Sequence, residues 1–315
     1  MDRLDAITSF VAVARSGGFS AASRALGTPV ANISRKVALL EGSLGVRLFE
    51  RTTRHVALTA AGQRYVEACS RVLEDLREAD AEASGEYRQP KGDLVISAPL
   101  GFGQQHLQPV VLDFLAEHPL VNIHLQLTDR VVPLVEEQVD CALRIGSLAD
   151  SSLVVRELGQ VRTLVCASPA YLAARGTPLS LAELAAHDCI SWTGLGAQKT
   201  WALTVRQDGR VTEQQVPVKL RLSTTTPESA LQAALAGIGL VRATTYQVAP
   251  HVAAGRLVPV LLAHRSEPMP VSLVWPSRRW VPLKLKALQD FAVPRLQARL
   301  AEVERLIASP SASAS

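Results

Sequence analysis

Residues 21–41 read AASRALGTPVANISRKVALLE, and this stretch predicts two short helices joined by a tight turn. Small alanines in the first helix allow it to pack closely against the second. Gly27 suits the turn, because a helix commonly ends on a glycine. Thr28 and Pro29 then follow as the N-cap and the first residue of the second helix.

The second predicted helix has two chemically different faces. Apolar residues recur at steps of three, four, three and four, and polar side chains occupy the opposite face. The apolar positions are Val30, Ile33, Val37, Leu40 and Leu44, and the polar positions are Asn32, Arg35 and Lys36. Such a helix can lie in the major groove of duplex DNA with its first turns near the base edges. The alternative is a helical dimerisation module that binds no nucleic acid.

The flanking residues complete a DNA-binding pattern. Helical spacing over residues 2–16 ends at a Gly-Gly pair, and Ser20 is expected to cap the next helix. Residues 46–60, VRLFERTTRHVALTA, alternate in polarity and predict a two-stranded wing. Arginines in the wing can neutralise phosphates or enter a minor groove. They are Arg47, Arg51 and Arg54.

Positive charge is concentrated at the start of the chain. Residues 1–66 hold nine Lys or Arg against four Asp or Glu, whereas residues 67–315 hold 24 against 25. The whole chain has a net charge of +4. This local excess favours a partner with a negative surface, such as duplex DNA, at the N-terminal region.

A long helix is predicted over residues 59–88, with a length of about 45 Å at about 1.5 Å per residue. Its apolar residues follow a 3.5-residue period, which is typical of a coiled-coil seam and predicts at least a dimer. The alternative is packing on the C-terminal domain of the same chain. Residues 89–92, QPKG, would end the helix and form a hinge. The seam residues are Tyr65, Cys69, Val72, Leu76, Ala79 and Ala83.

The remainder of the chain alternates strands and helices, as in βαβ units with parallel sheets. The predicted strands are 93–98, 121–128, 140–145 and 270–274, and the predicted helices are 101–118, 131–138, 170–175, 181–187, 227–236 and 281–306. Ligands bind beyond the carboxyl ends of the strands in such folds. The start of helix 101–118 also presents free N–H groups that suit an anion, so we expect an anionic or aromatic ligand. The candidate ligand-binding residues are Ser97, Pro99, Phe102, Thr128, Arg144, Gly146, Trp201 and Thr224.

Structural roles remain open for several of these candidates. Ser97 could cap its helix, Trp201 could lie in the core, and Arg144 could pair with an acid such as Asp140.

Composition excludes several protein classes. Hydrophobic residues make up 48% and charged residues 20% of 315 residues, which indicates a globular chain of two or more domains. No run of about 18 uncharged apolar residues is present, so no membrane span is expected. The first ten residues lack the apolar region of a signal peptide, which predicts a cytoplasmic location.

No catalytic or metal-binding motif is found. The four cysteines are widely spaced and form no CxxC pair, so we expect reduced packing residues and neither a metal nor another cofactor. None of HExxH, GxSxG, GxxxxGK[ST] or GxGxxG occurs before the required element, so catalysis is not expected. An α/β enzyme and a solute-binding protein remain the alternatives for the C-terminal part. The DNA-binding pattern and the missing export signal oppose the second.

The chain resembles the LysR family of bacterial transcriptional regulators over nearly its whole length. The segments that carry the resemblance are FSAASRALGTPVANISRKVALLEGSLGVRLFERTTRHVALTAAG, DCALRIGSLADSSLV, LVCASPAYLAARG and GRLVPVL. The resemblance implies a winged helix-turn-helix (1–59), a linker or dimerisation helix and hinge (60–92), an effector-binding domain (93–306) and a disordered tail (307–315). It also implies a two-lobed, periplasmic-binding-protein-like α/β effector domain, with lobes of about 93–162 plus 268–306 and 163–267.

The resemblance further implies partners and residue roles. The partners would be promoter DNA, a small-molecule effector, RNA polymerase and further copies of the chain, as a homodimer or homotetramer. Helix-turn-helix residues would contact phosphates or bases, and wing arginines would contact the backbone. The residues implied are Ser20, Ser23, Thr28, Pro29, Asn32, Ser34, Arg35, Lys36, Arg51 and Arg54. Lys36, Asn32 and Thr244 depart from the residues usual in the family, so the operator sequence and the ligand do not carry over.

Overall fold

The computed structural model describes residues 2–51, 56–83, 89–148, 152–192, 199–207, 210–277 and 281–308. The chain divides into two compact units, Met1–Arg88 and Gln89–Ser315. Part of the expected disordered tail is helical, because the last helix continues to Ala308. The remaining tail residues lie outside the described ones.

The first unit has the predicted winged helix-turn-helix. Its described helices are α1 (Arg3–Ser16), α2 (Phe19–Leu26), α3 (Val30–Leu44) and α4 (Ala60–Ala83). The wing consists of β1 (Phe49–Arg51) and β2 (Val56–Leu58), which pair antiparallel.

The core of the first unit is built around the fully buried ring of Phe10. The centroid of this ring lies 5.2 Å from that of Phe49 in β1 and 5.6 Å from that of Tyr65 in α4. Aromatic rings at such distances bury large apolar areas in well-defined geometry. Helix α1 therefore holds the wing and α4 together.

A glycine and a glutamate connect the wing to the helices on either side. Glu41 Oε1 in α3 accepts hydrogen bonds from the N–H groups of Leu48 (2.8 Å) and Phe49 (3.1 Å). In α4, a β-carbon at Gly62 would lie only 2.0 Å from the carbonyl oxygen of Leu48. Because that neighbour is backbone, only glycine allows α4 to approach the wing so closely.

The predicted seam of α4 is divided between two environments. Tyr65 packs against the core of the first unit and Cys69 is buried there. Val72 and Leu76 are 57% and 39% exposed. The expectation of one continuous intermolecular stripe is therefore wrong for its first two positions, because α1 and the wing cover them.

The second unit begins with lobe 1, which contains a five-stranded mixed sheet. Its order is β4-β3-β5-β14-β6, with the first three strands parallel and β14 antiparallel to β5 and β6. The strands are β3 (Gly92–Ala98), β4 (Val121–Leu127), β5 (Cys141–Ile145), β6 (Leu153–Val161) and β14 (Met269–Pro276). Helices α5 (Leu100–Phe102), α6 (Gln108–Glu117) and α10 (Leu283–Ala308) accompany this sheet.

A π-helical turn, Gly103–Leu107, joins α5 to α6. The backbone is right-handed helical at both junctions. The three segments therefore form one continuous helix, called helix 100–117 below.

Lobe 2 contains a second mixed sheet of order β11-β8-β12-β7-β13. Its strands are β7 (Thr163–Ala167), β8 (Asp188–Trp192), β11 (Lys219–Thr224), β12 (Leu240–Thr244) and β13 (Val258–Val260). A separate hairpin is formed by β9 (Thr200–Gln207) and β10 (Arg210–Pro217). The helices are α7 (Pro169–Arg175), α8 (Pro227–Leu235) and α9 (Thr245–Ala253), with 3-10 turns at Ala182–Ala186 and Leu262–His264.

Three predictions for the second unit are corrected. Residues 131–138 form turns rather than a helix: Val132 and Leu134 are buried, Val131 and Val135 are exposed, and the positive φ of Gln138 (55°) ends the segment. The predicted helix 181–187 is a 3-10 turn. The sheets are mixed rather than parallel, because β14, β7 and β13 make antiparallel pairs.

The four cysteines are buried and unpaired, as predicted.

Candidate nucleic-acid interface and ligand cleft

The turn between α2 and α3 is held by hydrogen bonds within the turn itself. Gly27 adopts the left-handed conformation (φ 62°) that ends α2. The Ser23 hydroxyl donates to the carbonyl of Thr28 (2.7 Å), and the Thr28 hydroxyl donates to that of Leu26 (3.3 Å). Ser23 and Thr28, which were predicted as phosphate contacts or caps, thus stabilise the turn in this structure.

The caps of both helices differ from the prediction by one or two residues. Gly18 is the N-cap of α2, so Ser20 is an exposed residue inside the helix and does not cap it. Pro29 is the exposed N-cap of α3, which begins at Val30 rather than at Pro29. Such shifts are common at helix ends and leave the helix pair unchanged.

The outward face of α3 carries two polar side chains without partners. Asn32 and Arg35 are exposed, and neither side chain forms a hydrogen bond or ion pair with any described residue. Ile33 and Val37 on the opposite face are fully buried. Val30 is 41% exposed, so it belongs to the outward face rather than to the predicted apolar one.

Lys36 is already paired inside the first unit. Its Nζ lies 2.7 Å from Oδ2 of Asp5 in α1. The Lys36 side chain is 26% exposed to solvent. An ion pair this accessible is weak, so Lys36 can exchange Asp5 for a phosphate, but it is less free to reach a base than Arg35.

The other predicted DNA contacts lie around α3 and in the wing. Ser34 is half-buried in α3, and Arg47 is exposed before β1. Arg51 ends β1, where its backbone pairs with Val56. Arg54 lies outside the described residues.

In the second unit, the carboxyl ends of the parallel strands of both lobes face each other. Gly101 follows β3 in lobe 1, and a β-carbon there would lie 2.6 Å from Oε1 of Glu228 and 3.3 Å from the hydroxyl of Tyr246. Glu228 follows β11 and Tyr246 follows β12, both in lobe 2. This arrangement is the predicted cleft of a doubly wound fold.

Two carboxylates surround the start of helix 100–117. Asp129 Oδ1 accepts a hydrogen bond from the N–H of Leu100 (3.1 Å). Glu228 Oε1 is buried and has no hydrogen-bond partner among the described residues. Burial first, and then Glu228 and Asp129, raise the pKa of Tyr246 to about 12, while a hydrogen bond to Thr244 acts in the opposite direction. The place expected to receive a ligand's anion is therefore lined by acids of the protein.

Several predicted ligand residues cluster near this start. Ser97 is buried in β3 and Pro99 is the N-cap of α5. The Thr128 N–H donates to Ala98 (2.9 Å), and its hydroxyl accepts from the N–H of Arg130 (3.2 Å). These residues lie at adjacent strand ends.

Arg144 and Gly146 lie at the end of β5. The half-buried Arg144 guanidinium donates to the carbonyl of Val132, and burial lowers the pKa of Arg144. Gly146 has a positive φ (100°), and its N–H donates to Pro270 (2.9 Å). The predicted alternative partner of Arg144, Asp140, instead accepts a hydrogen bond from the N–H of Val95.

The remaining three candidates differ in their positions. Phe102 is fully buried in the core of lobe 1. Trp201 is buried in lobe 2, where its indole N–H donates to the hydroxyl of Ser191 (2.9 Å). Thr224 ends β11, and its hydroxyl donates to the carbonyl of Thr226 (2.8 Å). Phe102 therefore lies beside Gly101, with its ring centroid 5.3 Å from that of Tyr246, and Thr224 lies at a strand end, whereas Trp201 belongs to the core of lobe 2.

Sequence reasoning missed Asp129, Glu228 and Tyr246. Glu228 follows Thr226 and Pro227, an N-cap and first-turn pattern that announces a helix start. Since helix starts after strands point toward the cleft in this fold, that pattern could have identified Glu228. No sequence signal indicates that it lies over Gly101.

The described residues show neither a metal-binding cluster nor a membrane-spanning helix. No set of three or more His, Cys, Asp or Glu side chains is arranged to hold a metal ion. No described helix is both long and apolar enough to cross a membrane.

Family models match both units of the chain. Residues 4–63 match the bacterial regulatory helix-turn-helix protein, lysR family, and residues 87–297 match the LysR substrate binding domain.

Relatives match over nearly the full chain. The HTH-type transcriptional regulator CrgA of Neisseria meningitidis serogroup B is 34% identical, covering 92% of this chain and 96% of CrgA. The regulator DmlR of Escherichia coli is 32% identical, covering 91% and 92%. The solved structure of CrgA, a LysR-type transcriptional regulator, superposes with a TM-score of 0.53 at 32% identity, covering 96% and 98%. Full-length AphB, a virulence activator of Vibrio cholerae, gives 0.57 at 28%, covering 92% and 98%.

Proposed function

The chain belongs to the LysR family of transcriptional regulators, and we propose that it binds promoter DNA by placing the exposed face of α3 in the major groove. Asn32 and Arg35 then approach base edges, since asparagine pairs with adenine and arginine with guanine. The observation that carries this proposal is that both side chains are exposed and lack partners among the described residues, directly opposite the buried Ile33. The cytoplasm is where such a protein would meet its promoter.

Other residues of the helix-turn-helix and the wing are proposed to contact the phosphates of the DNA backbone. Ser20, Ser34, Arg47 and Lys36 lie on or beside the helix-turn-helix, and Lys36 would exchange Asp5 for a phosphate. The wing arginines Arg51 and Arg54 are proposed to neutralise phosphates on the basis of sequence alone. Phosphate contacts position a protein on DNA without reading its sequence.

We further propose that α4 pairs with the same helix of a second copy. Val72 and Leu76 are exposed apolar residues on this helix, and burying them against a partner would be favourable. Light scattering should show a dimer or tetramer, and a stable monomer would contradict this pairing.

The effector domain is proposed to act by changing the relative closure of its lobes. A ligand that binds one closure state better shifts the population toward that state. The shift would change how subunits pack, and hence the DNA spacing and the contact with RNA polymerase. DNase footprints of the promoter with and without a bound ligand should then differ in the length of protected DNA or in the positions that indicate DNA bending.

The central test is the effect of Arg35→Ala on DNA affinity. Fluorescence anisotropy would compare a duplex from the promoter region upstream of the gene with a scrambled duplex of equal length. We expect a loss of about 10- to 100-fold on the promoter, the usual worth of a bidentate base contact, and only a few-fold loss on the scrambled duplex. Arg15→Ala, which removes an exposed arginine of α1, is the matched control.

Two outcomes would count against this assignment. Equal losses on both duplexes would make Arg35 a phosphate contact only. No salt-sensitive binding of the unchanged protein to any promoter duplex would reject the proposed function.

A further inference from the structure

A cavity of about 390 Å³ lies in the second unit, between elements of both lobes. It is lined by the second turn of helix 100–117, by the first two turns of α9 and by the end of α10. Its position is therefore about one helical turn beyond Gly101, where the strand ends meet. Because α9 belongs to lobe 2 and the other two helices to lobe 1, a molecule in this cavity would contact both lobes.

The wall of the cavity is largely apolar. Pro250 lines one side, and Val303 and Leu306 line another. The ring of His106 stands at 84° to that of Tyr246, with 5.6 Å between centroids. Small-molecule sites usually have volumes of about 300–1,000 Å³ and such apolar walls, so the size and the lining both suit an aromatic group.

One cation of the wall has no counter-ion among the residues that the structure describes. Arg299 is half-buried and forms neither an ion pair nor a hydrogen bond with any described residue. Glu302, the nearby acid of the lining, pairs with Arg305. A partly desolvated guanidinium without a partner is unfavourable, and a carboxylate can satisfy it with two parallel hydrogen bonds.

Two imidazoles of the wall also have unsatisfied nitrogens. Both ring nitrogens of His106 and Nδ1 of His251 are buried without hydrogen-bond partners among the described residues. Burial, and then the charge of Arg299, lower the pKa of His106 to about 4, although the backbone of Tyr246 acts in the opposite direction. Burial and then Arg256 lower the pKa of His251. Neutral imidazoles can donate or accept a hydrogen bond. A polar ligand atom that reaches either one would therefore remove the free-energy cost of an unsatisfied buried nitrogen.

We propose that this cavity binds an aromatic carboxylate, with the carboxylate on Arg299 and the ring against the apolar wall. This site adjoins the cleft at Gly101, and Tyr246 and Gln247 border both. At Gly101 the carboxylates of Asp129 and Glu228 would repel the same ligand, whereas the cavity offers an unpaired positive charge. Binding would hold α9 of lobe 2 against helix 100–117 and α10 of lobe 1.

Isothermal titration calorimetry of the full chain tests the charge requirement. The probes are 2-naphthoate and its neutral isostere 2-naphthamide. We expect naphthoate to bind and the amide to bind at least about tenfold more weakly, because only the acid makes a charge-assisted pair.

Variants of α10 locate the site. Arg299→Gln should weaken naphthoate at least about tenfold, whereas Lys286→Gln, which removes an exposed charge elsewhere on the same helix, should leave it unchanged. Leu306→Trp should block binding by filling the cavity, with circular dichroism used to check folding. If this variant misfolds, hydrogen exchange on the unchanged protein replaces it, and naphthoate should protect α9 and the end of α10.

The proposal is overturned if naphthoate does not bind, if acid and amide bind equally, or if the two α10 charge variants behave alike. Protection confined to the strand ends near Gly101 would also overturn it, by placing the ligand in the cleft. None of these results bears on DNA binding by α3, which the anisotropy experiment tests separately.

Discussion

Replacing His106 with phenylalanine should make the C-terminal unit less sensitive to acid. Burial is the main reason that the pKa of His106 falls from 6.5 to about 4. A group whose pKa is lower in the folded state stabilises fully above its unfolded pKa, and this contribution is lost as pH falls from about 6.5 toward about 4. A phenyl ring can stack on Phe102, whose ring centroid lies 4.9 Å from that of His106, and it takes up no proton.

The size of the effect follows from the two pKa values. Between pH 7 and pH 5, preferential protonation of the unfolded imidazole should reduce the free energy of unfolding by about 2 kcal/mol, with a limit of about 3 kcal/mol at lower pH. Other titratable or charged groups that line the same cavity include Tyr246, His251, Arg299 and Glu302. They remain in the variant, so the difference between the two proteins isolates His106.

Urea unfolding followed by tryptophan fluorescence measures this difference. All four tryptophans lie between residues 192 and 280, so the signal reports the second unit alone. The unchanged protein should lose about 2 kcal/mol more than His106→Phe on going from pH 7 to pH 5. His124→Phe, which replaces an exposed imidazole of β4, should behave like the unchanged protein. Equal acid sensitivity of the unchanged protein and His106→Phe would refute the argument.

Two further predictions concern the first unit. Asp5→Asn should raise affinity for any duplex a few-fold and steepen its salt dependence by about one unit, because it frees Lys36 for a phosphate; anisotropy across a salt series checks this, and an unchanged slope would contradict it. Gly62→Ala should lower the free energy of unfolding by about 1–3 kcal/mol, because its β-carbon would meet the Leu48 carbonyl. Urea unfolding followed by helical circular dichroism measures it, and Gly42→Ala, where the added carbon meets nothing within 4 Å, should not destabilise.

The helix-turn-helix could be predicted because its signals are local. Apolar spacing identified Ile33, Val37 and Leu40 as the buried face of α3, and all three are fully buried. The same spacing placed Asn32 and Arg35 outside, where the structure has them. The exact helix ends could not be predicted from sequence, because Gly18 and Pro29 cap these helices without the side-chain hydrogen bonds that sequence rules assume.

The α4 seam shows where periodicity stops being sufficient. A 3.5-residue stripe identifies residues that share a face but does not identify what covers that face. Phe10 of α1 lies against Tyr65, a contact between residues far apart in sequence. The first part of the stripe is therefore core, and Val72 and Leu76 are the exposed positions of the predicted seam among those whose burial the structure describes.

The two acids at the start of helix 100–117 could not be predicted from sequence for a similar reason, because long-range contacts bring them there. The start of helix 100–117 predicts an anion seat when that helix is considered alone. Folding places Glu228 of the other lobe over Gly101 and directs Asp129 to the N–H of Leu100. Two acids from segments about 100 residues apart thus line this seat. The proposed anionic ligand is therefore better accommodated at Arg299 in the cavity, a cation that has no ion-pair partner in the described part of the chain.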